Sequence, residues 1–208
     1  MPSKTAIASL TAAGAGGSAL GGFYIYRNSG LDTKETLSSL LSKDKDRVIL
    51  VSSDDRHSKA FDALVTEYST VSDFRIPSSF LGSGTLTKDK LIGFCNSYGQ
   101  SKDASGFEMY KRWCSRNSLR SQMNSLQGKK WIDSGDKKDW AAPKGLYEDT
   151  LQIPVAQGSG NIQKSSLKEE DLMAYCSKSS SLVFTSAEDD YYKRVEKYCV
   201  TSTTQGAG

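Results

Sequence analysis

The five residues Leu91-Ile92-Gly93-Phe94-Cys95 (LIGFC) have a counterpart 81 positions later, Leu172-Met173-Ala174-Tyr175-Cys176 (LMAYC), and this recurrence decides the predicted fold. Six further matches keep the same order along the chain, with offsets between 76 and 85. They are Phe61 with Trp140, Tyr68 with Tyr147, Ile76-Pro77 with Ile153-Pro154, Gly82-Ser83-Gly84 with Gly158-Ser159-Gly160, Tyr110-Lys111-Arg112 with Tyr192-Lys193-Arg194, and Cys114 with Cys199. Such order-preserving matches are typical of internal duplication. We therefore predict two tandem repeat units, residues 31–118 and 119–200, and a flexible tail at 201–208.

Apolar residues recur at helical spacing within both predicted units. Leu37, Leu40 and Leu41 follow the i, i+3, i+4 pattern, and Asp32 with Glu35 forms a D-x-x-E start signal in front of them. Further helices are predicted around the stripe Phe61, Leu64, Val65 and Tyr68, from Thr87 to Cys95, over Phe107–Cys114, after the capping-box sequence Ser166–Glu169, and after Ser186–Asp189. Arg47–Val51 is the one predicted strand, because its counterpart around Trp131-Ile132 is too short to assign.

The N-terminal 27 residues differ in composition from the rest. Ala6 to Tyr26 are 21 residues without a charged side chain, and a helix of that length would cover about 31 Å, the thickness of a bilayer's hydrocarbon core. The expected anchor residues are Ala6, Ile7, Leu10, Leu20, Phe23, Tyr24, Ile25 and Tyr26, whose aromatic end lies where an interfacial belt is expected. Residues 1–27 are therefore predicted to be a membrane anchor or a signal segment. Cleavage near Ala13-Gly14-Ala15 and a small-residue leader on a soluble protein stay open as alternatives.

The predicted fold class is accordingly mainly α, with an N-terminal transmembrane-type helix followed by two tandem helical repeat units. The flanking charges bear on its orientation. Lys4 precedes the apolar segment, whereas four basic residues follow it, namely Arg27, Lys34, Lys43 and Lys45. The positive-inside rule then favours a cytoplasmic body. The cysteines favour the opposite orientation.

Four cysteines occur as two pairs on the predicted helices, Cys95 with Cys114 and Cys176 with Cys199. Two antiparallel helices can bring such positions within disulfide reach, and closing loops of this size would stabilise each unit by about 3 kcal/mol. Buried thiols are the alternative. A metal site is disfavoured because no C-x-x-C motif or histidine partner is present. Among the three possible pairings, the duplication favours the one within each unit.

Charge and composition exclude several functional classes. The chain has 27 Lys and Arg against 24 Asp and Glu, which argues against binding nucleic acid by charge. His57 is the only histidine, so most histidine-based metal sites and acid–base triads are excluded. The Gly-Ser-Gly loops lack a phosphate-binding context, and the acidic pairs at 54–55, 169–170 and 189–190 are interpreted as helix caps. Trp113, Trp131 and Trp140 are interpreted as core residues. We predict no catalytic residue, no cofactor and no metal.

Three features of the chain occur together: an N-terminal apolar segment that ends in aromatics, the Leu-x-x-aromatic-Cys helix, and the Tyr-Lys-Arg-Trp-Cys sequence at 110–114. With these features the chain resembles the paralogous families of membrane and surface proteins in haemotropic mycoplasmas (haemoplasmas). The resemblance covers most of the chain, but its motifs are short. It implies a membrane-associated surface protein that provides antigenic variety or host contact. The second unit departs from the motif, because it has Tyr198-Cys199 where the first has Trp113-Cys114.

These observations together predict a non-enzymatic membrane-anchored protein whose body is exposed outside the cell as an antigen or binding module. The expected partners are the membrane, through residues 1–27, and a host protein or antibody, with no nucleic acid. The first alternative is a cytoplasm-facing, membrane-tethered helical scaffold with reduced thiols. The second is an enzyme whose cleft would join His57 to cysteine or acidic residues.

Overall fold

The computed structural model of the chain describes residues 35–82, 84–156 and 158–202. Over these residues the fold is mainly helical, as predicted, with nine α-helices and four short strands. The first half, residues 35–118, contains α1 (Leu37–Ser42), β1 (Arg47–Ile49), α2 (Asp55–Tyr68), α3 (Ser78–Leu81), α4 (Lys88–Tyr98), α5 (Phe107–Cys114) and β2 (Ser115–Asn117). The second half, residues 119–202, contains α6 (Leu119–Asn124), β3 (Lys129–Trp131), α7 (Ala141–Gly145), α8 (Glu169–Ser179), α9 (Asp190–Tyr198) and β4 (Val200–Ser202).

Each half contains one two-stranded antiparallel sheet. β1 pairs with β2, with Arg47 opposite Asn117, and β3 pairs with β4, with Lys129 opposite Ser202. The predicted strand over 47–51 is real but ends at Ile49, and the other three strands were not predicted. Strands of three residues are too short to show an alternating pattern, and they are held by partners about 70 residues away in sequence.

Short polar side chains begin several of the helices. Thr36, Asp54, Thr87 and Asp189 each accept a hydrogen bond from a backbone N–H in the first turn of α1, α2, α4 and α9, respectively. The capping-box prediction at Ser166 was wrong, since Ser166 lies in a 3₁₀ turn and α8 begins after Lys168. There the Lys168 N–H donates to the carboxylate of Asp171 over 2.9 Å. The start signal at Asp32 and Glu35 was also wrong, because Glu35 precedes α1 and Thr36 is the N-cap; Asp32 itself lies outside the described residues.

Two hydrophobic clusters form the core. The first is built from α1, α2, α4 and α5 and contains Phe61, Phe94 and Trp113, each almost fully buried. The second is built from α6 to α9 and contains Tyr147 and Tyr198. Because each cluster draws nearly all of its members from one half, burial within each half supplies most of its hydrophobic stabilisation.

One segment of the second half crosses to the first. We call residues 180–189 the strap. Val183, in the strap, is buried in the first cluster and forms an antiparallel β-bridge with Ser118. The Phe184 N–H donates to the carbonyl of Asn117 over 2.9 Å. The strap therefore lies along the outer edge of β2 and ties the two halves together.

No helix in the described part of the chain is both long enough and apolar enough to cross a membrane. The predicted anchor at 1–27 lies outside the described residues, as do residues 203–208 of the predicted tail.

Candidate functional site

The four cysteines lie in two pairs at disulfide distance, one in each half. Cys95 on α4 is joined to Cys114 at the end of α5, with Cα atoms 5.3 Å apart. Cys176 on α8 is joined to Cys199, which follows α9, with Cα atoms 5.5 Å apart. All four side chains are buried. Each bridge fastens the helix that carries the Leu-x-x-aromatic-Cys motif to the last helix of its half.

The backbone around the two cysteine pairs makes the same contacts. The Leu50 N–H donates to the carbonyl of Cys114, and the Ile132 N–H donates to that of Cys199, both over 2.9 Å. At the start of α1 the Leu37 N–H donates to Ser101, and at the start of α6 the Leu119 N–H donates to Leu182.

Each half contains an aromatic pair that includes the residue just before its last cysteine. The rings of Tyr68 and Trp113 are 4.9 Å apart, and those of Tyr147 and Tyr198 are 5.1 Å apart. Trp113 and Tyr198, which replace each other in the sequence motif, thus each pack against a tyrosine of their own half.

A cleft with a volume of about 530 Å³ lies in the second half. Its lining comes from β3, the loop that follows β3, and one face of α8. Trp131, Trp140 and Met173 supply its apolar surface, and small side chains such as Gly135 and Ala174 leave it open. Both indoles are almost fully buried, so only a small part of each borders the cleft.

Charged pairs border this cleft. Arg120 forms an ion pair with Asp133 over 2.6 Å, and Lys137 forms one with Glu170. The hydrogen bond from Lys137 is the main reason that the pKa of Glu170 lies below its ordinary value. The indole N–H of Trp140 donates to the Ser134 carbonyl over 3.0 Å and fixes the loop. Serine hydroxyls complete the lining, at Ser134, Ser177 and Ser180, so the cleft offers both apolar and hydrogen-bonded contacts.

His57 lies in the first turn of α2, as the sequence predicts. Its Nδ1 accepts a hydrogen bond from the Val51 N–H over 3.0 Å, so the ring is neutral in this arrangement. Partial burial is the main reason that its pKa lies below the ordinary value. In the same turn, the carboxylate of Asp54 accepts hydrogen bonds from the backbone of Arg56 and His57. His57 therefore holds the loop between β1 and α2.

The interpretations of the acidic pairs and of the tryptophans also agree with the structure. Asp54 and Asp189 are N-caps, and Glu169 and Glu170 lie in the first turn of α8. The three tryptophans are buried. In the second Gly-Ser-Gly loop both glycines have positive φ, 91° and 115°, inside a turn that is closed by a β-bridge between Pro154 and Asn161. Among the described residues, no group of three or more His, Cys, Asp or Glu side chains is placed to hold a metal ion.

Two arginine ion pairs were not predicted: that of Arg56 joins the two halves, and that of Arg116 lies within the first half. Arg56 on α2 binds Asp189 through both terminal nitrogens, at 3.2 and 3.1 Å, and donates from Nε to the Val183 carbonyl. Arg116 on β2 binds Glu67 in the same two-pronged way, at 3.0 and 2.6 Å. Arg56 and Asp189 are 133 positions apart, so nothing local in the sequence could have paired them.

Arg47 is a third buried arginine, and it contacts neutral oxygens. Its guanidinium donates to the Ser115 side chain, to Asn117 and to the backbone carbonyl of Lys111, over 2.7 to 3.1 Å. Burial lowers the pKa of Arg47 to about 10, so it remains protonated at neutral pH. It fixes β1 and β2 to the end of α5.

No family model, curated protein or solved structure matches this chain.

Proposed function

We propose that this chain is a non-enzymatic, membrane-anchored protein whose disulfide-bridged helical body is displayed outside the cell as a binding module or antigen. The observation that carries the proposal is the pairing of all four cysteines, one pair at the same place in each half. Disulfides persist in oxidising compartments and are rare in the cytosol. The paired cysteines therefore favour the extracellular orientation over the cytoplasmic one that the flanking lysines favour.

The proposal includes a tandem duplication of the body. Its support is the recurrence of long-range contacts: the two cysteine pairs, the hydrogen bonds that Cys114 and Cys199 accept, and the two aromatic pairs. Contacts of this kind are set by tertiary structure and not by local helix propensity, so common descent of the halves explains them together. The resemblance to haemoplasma surface families is consistent with this origin.

The cleft of the second half is the proposed place of ligand contact. The indoles of Trp131 and Trp140 and the side chain of Met173 line it, and two ion pairs border it. Such a lining suits a ligand that has an apolar group and a polar end. The loop after β1 in the first half corresponds to the loop after β3 that lines the cleft, and in it the Val51 N–H donates to His57. The two units would therefore bind different ligands, or only the second would bind one.

Thiol counting on the protein purified from its native membrane tests the orientation. Intact mass is measured after alkylation under denaturing conditions, with and without prior reduction. We expect no alkyl group without reductant and four after reduction. Four alkyl groups without reductant would overturn the extracellular proposal in favour of a cytoplasmic scaffold. Biotinylation of intact cells with an impermeant reagent is the independent check, because a displayed body would be labelled on lysines such as Lys130 and Lys138, which are exposed.

A further inference from the structure

The cleft of the second half runs along one face of α8. The residues that line it on this side are Glu170, Met173, Ala174 and Ser177, followed by Ser180 at the end of the helix. Their spacing of three or four residues is that of a single helix face. At about 1.5 Å per residue, the axis from Glu170 to Ser180 measures about 15 Å. The cleft is therefore an elongated groove along the whole helix.

Both ends of this groove are charged. At the end where α8 begins, Lys137 forms its ion pair with Glu170. At the other end, the Arg120 N–H donates to the Ser180 carbonyl over 3.2 Å, and the Arg120 side chain pairs with Asp133. The four charged side chains are 48% to 65% exposed. Each end therefore offers solvent-accessible charges of both signs to a ligand.

The stretch of α8 between these ends is apolar. Met173 is partly buried, and Ala174 is exposed and small. The remaining apolar lining comes from Trp131, Ile132 and Trp140, which are between 2% and 7% exposed and so form a firmly packed wall. A bulky apolar side chain fits beside Met173, because Ala174 leaves the space for it.

We propose that the groove binds an extended segment of about four residues from another protein, with one apolar side chain against Met173 and a charged group at each end. This inference rests on the proposed function, because it names the class of ligand for the cleft assigned there. An extended chain rises about 3.3 Å per residue, so four residues cover about 13 Å of the groove. The volume of about 530 Å³ lies within the range of ordinary ligand pockets.

An acyl chain is the competing occupant of an apolar groove of this length. It has one polar end, so the charges at the second end would gain no partner from it. It would also remove the hydroxyls of Ser134 and Ser177 from water without offering them hydrogen bonds, which is costly. A peptide carries an N–H and a carbonyl at nearly every residue, and a serine hydroxyl can both donate and accept. The polar lining therefore favours a peptide.

Selection from a random hexapeptide library displayed on phage, against the detergent-solubilised full chain, tests the ligand class. We expect enriched sequences to carry one apolar residue with charged residues on both sides. A fluorescent copy of the most enriched hexapeptide is then titrated with wild type and with Ala174→Phe. The variant should bind about tenfold more weakly or worse, because the phenyl ring fills the space that the apolar side chain needs.

Gly93→Phe is the matched control. Gly93 lies on α4 at the position that corresponds to Ala174, it is exposed, and a Cβ placed there meets no other atom within 4 Å. This variant should bind the hexapeptide as wild type does. Thiol counting on both variants checks that each retains its two disulfides. Equal affinity of Ala174→Phe and wild type, or equal weakening in both variants, would overturn the inference.

Fluorescent dodecanoic acid, an acyl chain of comparable length, is the second probe. If it binds wild type and not Ala174→Phe, and no hexapeptide is enriched, the groove is a site for acyl chains. That result overturns the peptide inference and leaves the cleft as the place of ligand contact. If neither probe binds, the inference and the ligand role of the cleft both fall, whereas the orientation of the body is still decided by thiol counting on the native protein.

Discussion

Asp189→Asn should destabilise the body strongly although asparagine is as good an N-cap as aspartate. Asp189 caps α9 by accepting from the N–H groups of Tyr191 and Tyr192, a role that asparagine can keep. It also neutralises Arg56, and the two side chains are only 10% and 15% exposed. The substitution therefore removes one charge of a buried pair and leaves the guanidinium in place. Breaking such a pair costs about 3 kcal/mol, or more than a hundredfold in the folding equilibrium.

Asp54→Asn is the control, because Asp54 caps α2 in the same way from an exposed position. We expect it to cost less than about 0.5 kcal/mol. Guanidinium unfolding of the full chain is followed by tryptophan fluorescence, which reports on both halves because Trp113 lies in the first cluster and Trp131 in the second. If Asp189→Asn and Asp54→Asn lose equal free energy of unfolding, the ion pair between the halves does not contribute more than the cap, and the prediction is refuted.

The same pair makes an acid-sensitive contribution. Burial of Asp189 acts to raise the pKa of its carboxyl, but the hydrogen bond and charge of Arg56 oppose it, and the net shift is downward. A carboxyl whose folded pKa is depressed contributes stability that is present above its unfolded pKa and lost as pH falls through the folded value. The destabilisation caused by Asp189→Asn should therefore shrink as the pH is lowered below about 4. A difference in unfolding free energy between wild type and variant that stays constant with pH would contradict this prediction.

Further predictions address the cysteines, the histidine and a buried tyrosine. Replacing Cys95 and Cys114 together with alanine should lower the free energy of unfolding by about 3 kcal/mol in the same unfolding assay. Replacing Cys176 and Cys199 together should lower it by about as much, and losses below about 1 kcal/mol would contradict this. Proton NMR should show the single His57 titrating below its ordinary pKa, because burial disfavours the imidazolium. The hydrogen bond from the Val51 N–H to His57 therefore contributes stability that is complete above about pH 6.5 and is lost as pH falls through the folded pKa. A His57 titration at the ordinary pKa would refute this prediction. Burial raises the pKa of Tyr175 to about 12, so ultraviolet titration of Tyr175→Phe should lose a component at that pH and leave the earlier ones unchanged.

Helix positions could be predicted from the sequence where apolar residues recur at helical spacing. Phe107–Cys114 is a helix with the predicted bounds although no side chain caps it, and Asp54 begins its helix as expected. Ser166 misled the prediction because a serine three residues before a glutamate is also compatible with the 3₁₀ turn that the chain forms there. Local signals thus located most helices and misplaced two starts, at Asp32 and at Ser166.

Contacts between the halves could not be predicted in the same way. The strap carries Val183 and Phe184, which in isolation indicate only a short apolar run after α8. What fixes their place is the edge of β2, a strand of three residues that has no recognisable pattern. Pairings of this kind depend on tertiary geometry, and so do the arginine contacts of Arg56 and Arg116 that accompany them.

Under the proposed duplication, the differences between corresponding positions bear on function more than the matches do. The matched residues are mostly core aromatics, cysteines and turn residues, which any stable copy of the unit must keep. Lys102-Asp103 in the first half is replaced by Val183-Phe184 in the second, and Glu67 in the first by Leu146 in the second. The first difference is explained within the chain, because Val183 is buried in the first cluster and Phe184 packs against the second. Leu146 is 56% exposed, so burial within the described chain does not explain the second difference.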